Sequence, residues 1–199
     1  MNTERTHSII EQWIRPGARE LDLGCGDGSL LGKLAREKNA KVDGVEISEE
    51  KIIECLKKGI CVYHADIDRG LSNLEDMSFE YVILNETLQV IHNPQRVIDE
   101  MLRVGLNAII SVDNFGYVEN RLHVLATGEI SPDIRFDGLW HDSPVIRYFS
   151  FGEFENLLAE MKIIIDDARY FMPFGRTSAA KPFASTLLAR GALYRLRRA

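Results

Sequence analysis

A short apolar run followed at once by three glycines constrains this chain more than any other feature. The stretch reads "RELDLGCGDGSLLGKL" from Arg19 to Leu34, and its first three glycines stand at alternate positions. The run "RELDL" is typical of a strand, whereas the leucines after the glycines recur at helical spacing. Glycine lets the backbone turn in the left-handed region and approach a ligand without a Cβ in between. The stretch therefore predicts a strand–turn–helix unit whose turn binds a ligand.

The same alternation of strand and helix continues along the chain. Apolar runs predict further strands at "KVDGVEI", "ICVYHADI", "FEYVILNE", "LNAIISVDNF" and "KIIIDDARYF". Ser48 is placed to cap one intervening helix, and Pro94 is placed at the first turn of another. Strands that alternate with helices indicate a parallel sheet with right-handed crossovers. We expect one Rossmann-like α/β domain over residues 1–199, with a mostly parallel seven-stranded sheet and helices on both faces.

Three segments lie outside this alternation. Residues 1–18 predict an N-terminal helix, because isoleucines and a tryptophan fall on one face. Residues 114–149 follow the fifth strand, are rich in turn residues, and are predicted to form an insertion over the site. Residues 176–199 form a basic C-terminal segment, in which either a last strand or a terminal helix fits the pattern.

Composition and charge narrow the classes of partner. The net charge is −6, which makes nucleic acid a poor partner. The apolar runs fall short of the roughly 20 residues of a membrane span, and the N-terminus lacks the apolar core of a signal peptide. The three cysteines show no metal-ligand spacing, and their odd number fits reduced thiols. We expect a cytoplasmic protein without a metal site.

Charge is distributed unevenly along the chain. After Asp167 the sequence has seven basic residues and no acid. A final strand with a solvated basic end explains this run, and a docking surface for an acidic partner is the alternative.

The spacing of the glycines distinguishes between two kinds of nucleotide ligand. A dinucleotide site has the pattern G-x-G-x-x-G, which would require glycine where the chain has Ser29. Acids stand before and within the loop instead, at Asp22 and Asp27. Negative charge disfavours a pyrophosphate and favours a cationic ligand. S-adenosylmethionine carries a sulfonium and an ammonium group and no phosphate, and a tight turn without a ligand is the alternative.

Polar side chains at the ends of the later strands strengthen the nucleotide interpretation. Glu46 ends the second strand, where a carboxylate can accept hydrogen bonds from both ribose hydroxyls. Asp66 follows the third strand and could accept from the adenine amino group, while Ile67 could pack on the ring. An acid at a strand end can also be a helix N-cap. Together with the loop, the predicted cofactor site comprises Asp22, Gly24, Cys25, Gly26, Glu46, Ile47, Asp66, Ile67 and Asn85, of which Asn85 would face the methionine end.

These motifs resemble known proteins. "ELDLGCGDG", "GVEIS", "HADID" and "FEYVILNETLQ" resemble the class I S-adenosylmethionine-dependent methyltransferases. More narrowly, the chain resembles the MetW family of methionine biosynthesis from Arg19 to Phe171, through "VIDEMLRVGLNAIISVDNFG", "NRLHVLATG" and "WHDSP". The resemblance implies the class I methyltransferase fold, S-adenosylmethionine as cofactor with S-adenosylhomocysteine as product, and a homoserine O-acyltransferase as a possible partner. The family has "SQTLQ" where this chain has "NETLQ", and "PNFG" where it has "DNFG".

The chemistry of the second ligand is less defined by the sequence. Methyl transfer needs mainly positioning, and a general base only when the acceptor starts protonated. His92 and His141 are the candidates for such a base, and an ordinary loop position or simple packing is the alternative for each. Motifs for hydrolysis and metal chemistry are absent, and so is the Asn/Asp-Pro-Pro-aromatic signature of an N-methyltransferase. Two hypotheses follow: a small-molecule methyltransferase with an unknown acceptor, or a non-catalytic or regulatory partner that supports a homoserine O-acyltransferase.

Overall fold

The fold places one mixed sheet between two layers of helices. The computed structural model describes residues 3–130, 143, 145–173, 175–179 and 185–199. In chain order its elements are α1 (Thr3–Trp13), β1 (Arg19–Leu23), α2 (Ser29–Lys38), β2 (Lys41–Glu46), α3 (Glu49–Lys57), β3 (Cys61–His64), β4 (Phe79–Leu84), α4 (Pro94–Val104), β5 (Gly105–Asp113), α5 (Val118–Thr127), α6 (Phe151–Glu160), β6 (Ile163–Phe171), β7 (Thr177–Ser178), α7 (Ser185–Leu188) and β8 (Gly191–Arg198). Two 3-10 turns, Ile67–Arg69 and Leu88–Val90, follow β3 and β4.

The strand order creates a crevice at one end of the sheet. The strands lie in the order β3-β2-β1-β4-β5-β8-β6-β7. The first five strands in this order pair in parallel. β8 runs antiparallel between β5 and β6. The order reverses between β1 and β4. β2 and β3 lie on one side of β1, and β4 and β5 lie on its other side. Ligands of open α/β sheets bind outside the carboxyl ends of the strands at such a reversal.

The predicted α/β class and the helices on both faces are confirmed. One face of the sheet packs against α4 and α6, whose buried side chains include Met101 and Phe154. The other face packs against α1 and α2 through residues such as Ile10 and Leu34. The central strands are nearly continuous in buried apolar residues, as doubly covered parallel strands require.

The predicted number of strands, seven, is wrong by one. The sheet has eight strands over the described residues, because the two-residue strand β7 pairs with Tyr170 and Phe171 at the end of β6. So short a strand has too few residues to show an alternating pattern in the sequence.

The insertion after β5 contains a helix that the turn-rich sequence does not suggest. α5 spans Val118–Thr127, and none of its side chains is buried. Val118, Leu122 and Leu125 of this helix stand at helical spacing, but the turn residues that surround them in the sequence outweigh this signal. Residues 131–142 lie outside the described residues.

The arginines of the C-terminal segment are largely paired with acids. Arg195 lies 2.6 Å from Asp166, and Arg190 lies 2.6 Å from Glu119. Exposed pairs of this kind contribute little to stability, but they reduce the net charge that the segment presents. β8 shows that a strand, not a terminal helix, closes the chain. No helix in the described ranges is long and apolar enough to cross a membrane.

Candidate functional site

The glycine loop after β1 depends on glycine for its backbone. Gly24, Gly26 and Gly28 have φ angles of 74°, 56° and 72°. Side chains of L-residues disfavour this left-handed region, whereas glycine adopts it freely. The N–H groups of Gly24 and Cys25 donate to the carbonyl oxygen of Val45 at 2.8 and 3.1 Å. The loop is therefore fixed to the end of β2, beside β1.

Glu46 joins the loop to the start of α3. Its Oε2 accepts from the N–H of Gly26 at 2.9 Å, and its Oε1 accepts from the N–H groups of Ile47 and Ser48 at 2.8 and 2.9 Å. The residue is buried. A carboxylate has about four acceptor positions, so Oε2 keeps capacity for a further donor. Glu46 lies where the sequence predicts a ribose acceptor, next to the glycine loop.

Asp22 carries a buried carboxyl group at the end of β1. It is 3% exposed, and its Oδ1 has no hydrogen-bond partner among the residues that the structure describes. Burial raises the pKa of Asp22 to about 8, and the charge of Glu46 adds to the shift. A buried polar group without a partner is unfavourable in the free protein. Such a group is suited to a ligand that brings a donor or a positive charge.

The predicted adenine contacts lie on the 3-10 turn after β3. Asp66 caps this turn, with Oδ1 accepting from the N–H of Asp68 at 3.0 Å and Oδ2 lying 3.4 Å from Arg69. Ile67 is half-buried, and Ile47, beside Glu46, has 63% of its surface exposed. The two isoleucines offer apolar surface near the ends of β2 and β3. Asp66 thus caps this turn, and its contact with adenine stays a prediction.

Thr87 is a site residue that the sequence analysis missed. Its Oγ1 donates to the carbonyl oxygen of Asn85 at 2.9 Å. A Cβ built on Gly24 would stand 3.0 Å from the same Oγ1 atom. Gly24 therefore serves both the turn and the close approach of Thr87. The Oδ1 atom of Asn85 is buried and without a partner in the described part of the chain.

The side chain of Cys25 packs behind the loop. Its Sγ lies 4.0 Å from the Sγ of Cys55, and both residues are buried. Burial raises the pKa of both thiols, which keeps them protonated. A Cβ on Gly44 would stand 2.6 Å from the Cys25 Sγ. Only the backbone of Cys25 is thus available to a ligand in the turn.

His92 lies at the surface, anchored to Asp68. The His92 side chain is 74% exposed, and Nδ1 lies 3.2 Å from Asp68 Oδ2. Burial opposes the ionisation of Asp68. Hydrogen bonds from the backbone N–H groups of His92 and Asn93 outweigh this effect of burial, so the pKa of Asp68 is lowered. His92 is thus held by Asp68, and its role as a base stays a prediction. His141, the other predicted base, lies outside the described residues.

Gln89 is a second polar residue that the sequence analysis did not assign. It is 5% exposed, and its Nε2 donates to Asp113 Oδ2 at 3.2 Å. The backbone carbonyl oxygen of Gln89 accepts from the N–H groups of Ile146 and Arg147 at 3.0 and 3.1 Å. Its Oε1 has no partner among the described residues. The sequence signal was a polar residue in "TLQV" between apolar neighbours.

Known proteins match the chain at the level of a family and of single relatives. The family model described as "Methionine biosynthesis protein MetW" matches residues 4–196. A bifunctional methionine biosynthesis protein MetXA/MetW from Rhodopirellula baltica is 37% identical over 170 residues, which are 80% of this chain and 27% of that protein. A ubiquinone biosynthesis O-methyltransferase from Hahella chejuensis is 33% identical over 110 residues, covering 53% of this chain and 46% of that protein. The chain thus spans less than half the length of these two relatives.

Solved structures agree on the fold. An S-adenosylmethionine-dependent methyltransferase from Mesorhizobium loti superposes with a TM-score of 0.70 at 18% identity, covering 96% of each chain. The architecture is the class I methyltransferase fold. Within the described residues, no group of three or more His, Cys, Asp and Glu side chains is arranged to hold a metal ion.

Proposed function

Because the chain belongs to the MetW family of methionine biosynthesis proteins, we propose that it binds S-adenosylmethionine at the carboxyl ends of β1, β2 and β4. One observation carries this proposal. The buried carboxyl of Asp22 has an oxygen without a partner in the described part of the chain, beside a glycine loop that Glu46 holds in place. The cofactor's two positive charges suit that carboxyl, and its ribose hydroxyls suit Glu46.

The loop has room for a ligand on the side of Gly26. Among the residues that the structure describes, a Cβ built there would meet only the Nζ of Lys51, at 3.8 Å. The Glu46 carboxylate and the Gly26 backbone would hold the ribose, and the exposed Ile47 would cover the adenine. When bound, the cofactor supplies a methyl group that its sulfonium already activates. The work left to the chain is to orient two ligands and to exclude water.

Thermal unfolding tests the binding step. S-adenosylhomocysteine, the product form, stabilises the folded state if it binds there and not to the unfolded chain. We expect a rise in the melting temperature that grows with ligand concentration. An unchanged melting temperature at a large excess of ligand contradicts the proposal.

We propose further that the protein is a small-molecule methyltransferase, with the acceptor held near the ends of β4 and β5. The buried polar groups of Asn85 and Gln89 at this end support an acceptor site there. The test is transfer of a labelled methyl group to the metabolites of a cell extract. A labelled product that is lost when Glu46 is substituted supports the methyltransferase function. Absence of any labelled product across a broad extract contradicts it.

A second function, support of a homoserine O-acyltransferase, is favoured by a specific observation. In the Rhodopirellula baltica relative, a MetXA part and a MetW part are joined in one protein. Because the two parts are one protein in that relative, we infer that this chain associates with a separate acyltransferase chain. The test is co-purification with the acyltransferase and measurement of acyl transfer with and without this protein. Absence of both a complex and a change in rate contradicts this function.

A further inference from the structure

The turn after β4 contains a residue in a backbone conformation that side chains disfavour. Glu86 has a φ angle of 56°, in the left-handed region, which residues other than glycine rarely adopt because the Cβ crowds the backbone. Among the described residues, three further non-glycine residues share this property. Asn39 and Lys162 follow the helices α2 and α6, where the left-handed region is common, and Met77 lies in the turn before β4. Glu86 differs from these three, because it lies at the carboxyl ends of the central strands.

A hydrogen bond from β5 holds Glu86 in this conformation. The N–H of Glu86 donates to the Oγ of Ser111 at 2.6 Å. Ser111 is 1% exposed and stands in the buried part of β5, the strand that pairs with β4. A buried N–H without an acceptor is unfavourable, so the hydroxyl favours the backbone conformation that presents the N–H to it. Ser111 therefore offsets the cost of the left-handed residue.

The backbone at Glu86 determines where its two neighbours lie. Thr87 Oγ1 donates to the carbonyl oxygen of Asn85 at 2.9 Å, which closes the turn around Glu86. The same Oγ1 lies 3.0 Å from the position of a Cβ built on Gly24, so Thr87 is close to the glycine loop. Since φ and ψ are the soft angles of a residue, a change at Glu86 would move Thr87 relative to β4 and to this loop.

We propose that Ser111 is a positioning residue of the nucleotide site. Its hydroxyl holds Glu86 in the left-handed conformation and thereby keeps Thr87 against the glycine loop. The inference rests on the proposed function, because the ligand of that loop is the proposed S-adenosylmethionine. Without the hydroxyl, only a fraction of the folded protein has the conformation that binds, and the apparent affinity falls with that fraction. The carboxylate of Glu86 has no part in this effect.

Calorimetric titration with S-adenosylhomocysteine measures the effect. Ser111→Ala removes the acceptor, and we expect the dissociation constant to rise about tenfold, because the strain of the left-handed residue is then no longer offset. Ser111→Cys has only a weak acceptor, so it should act in the same direction and serves if the first variant does not fold. Ser78→Ala is the matched control. The Ser78 hydroxyl donates to the carbonyl oxygen of Glu75 at 2.8 Å before the opposite end of β4, so this variant should keep the wild-type affinity.

Substitutions of Glu86 show whether Ser111 acts through the backbone. Glycine adopts the left-handed region without a steric cost, so in a Glu86→Gly background Ser111→Ala should raise the dissociation constant by less than about threefold. Glu86→Gln keeps the Cβ, so in that background the rise should again be about tenfold. Both substitutions remove the carboxylate, and the difference between the two backgrounds therefore reports on the backbone conformation.

Equal losses of affinity in all three backgrounds would show that the hydroxyl acts in another way, and would overturn the inference. A folded Ser111→Ala protein with wild-type affinity would overturn it too. An equal loss in Ser78→Ala would indicate a general effect on the fold and would also contradict the positioning role. Absence of binding to the wild-type protein contradicts the proposed function itself.

Discussion

Two buried acids on β1 determine much of the behaviour of this protein at the scale of single residues. Glu20 and Asp22 are two positions apart, so their side chains lie on the same face of the strand. Glu20 is fully buried, and neither of its carboxyl oxygens has a hydrogen-bond partner in the described part of the chain. Burial raises the pKa of Glu20 to about 8, and the charges of Asp22 and Glu80 add to the shift. Both carboxyls therefore stay largely protonated at neutral pH in the free protein.

The pKa of Glu20 predicts how stability depends on pH. Between its ordinary value of 4.5 and about 8, the folded chain holds this proton more tightly than the unfolded chain. The free energy of unfolding therefore falls as the pH rises through this window and levels off above it. In the Glu20→Gln variant this side chain has no proton to lose. The free energy of unfolding of the variant minus that of the wild type should therefore rise by a few kcal/mol between about pH 5 and pH 8.5. Urea unfolding at both pH values measures the difference, and a constant difference would show that Glu20 does not carry it.

Asp22 predicts that ligand binding and proton release are linked. At pH 7 its carboxyl is mostly protonated, because the pKa is about 8. A bound sulfonium and ammonium would favour the ionised form, so binding should release up to about one proton. Calorimetric titration at pH 7 in phosphate and in Tris should then give different heats, because the two buffers absorb the proton with different enthalpies. Asp22→Asn should remove this difference, and equal heats for the wild type would contradict the assignment.

At the scale of helices and strands, the sequence predicts most of the elements that position the site. β1 through β5 and α2 through α4 show apolar runs or helical spacing, and each lies where the pattern places it. The capping box of Ser150 and Glu153 at the start of α6 is likewise visible in the sequence. α5 is the exception, because Val118, Leu122 and Leu125 stand at helical spacing within a segment whose turn residues suggest a loop. The helix buries no side chain, so this spacing corresponds to no packed face.

The contact between β2 and the glycine loop predicts the effect of one added methyl group. A Cβ on Gly44 would lie 2.6 Å from the Sγ of Cys25 and 3.2 Å from Leu31 Cδ1. Gly44→Ala should therefore destabilise the protein by about 1–3 kcal/mol and weaken ligand binding by displacing the loop. Gly152→Ala is the matched control, since its nearest neighbour is the Ser150 Oγ at 3.9 Å. In a helix this control should stabilise by up to about 1 kcal/mol, as urea unfolding would show. Equal effects of the two substitutions would contradict the packing account.

At the scale of the whole molecule, the site depends on the order in which the strands are laid down. Glu46 and Gly26 are 20 residues apart and meet because β2 lies beside β1. The sequence predicts this meeting from the parallel topology alone. The contact of Gln89 with Asp113 is different, because it depends on how the turn after β4 packs on β5. No local pattern specifies that packing, so the sequence leaves the residue unassigned.

The charges of the C-terminal segment follow the same logic. Counted along the sequence, they fit a final strand with a solvated basic end, with a docking surface for an acidic partner as the alternative. In the fold, β8 lies between β5 and β6, so that Arg195 meets Asp166 from β6. A run of one charge in the sequence becomes a set of pairs once the strands are side by side. Long-range pairing of this kind is visible only when the topology is known.

Calorimetric titration with S-adenosylhomocysteine tests the central claim most directly. The wild-type protein should bind one equivalent with a micromolar dissociation constant, about −8 kcal/mol. Glu46→Gln removes the charge that receives the ribose and should weaken binding about 10- to 100-fold. Glu49→Gln, an exposed acid three residues away, should leave the affinity unchanged. Binding that Glu46→Gln weakens and Glu49→Gln preserves is the predicted result. Absence of binding to the wild type, or equal affinity in all three proteins, would contradict the account.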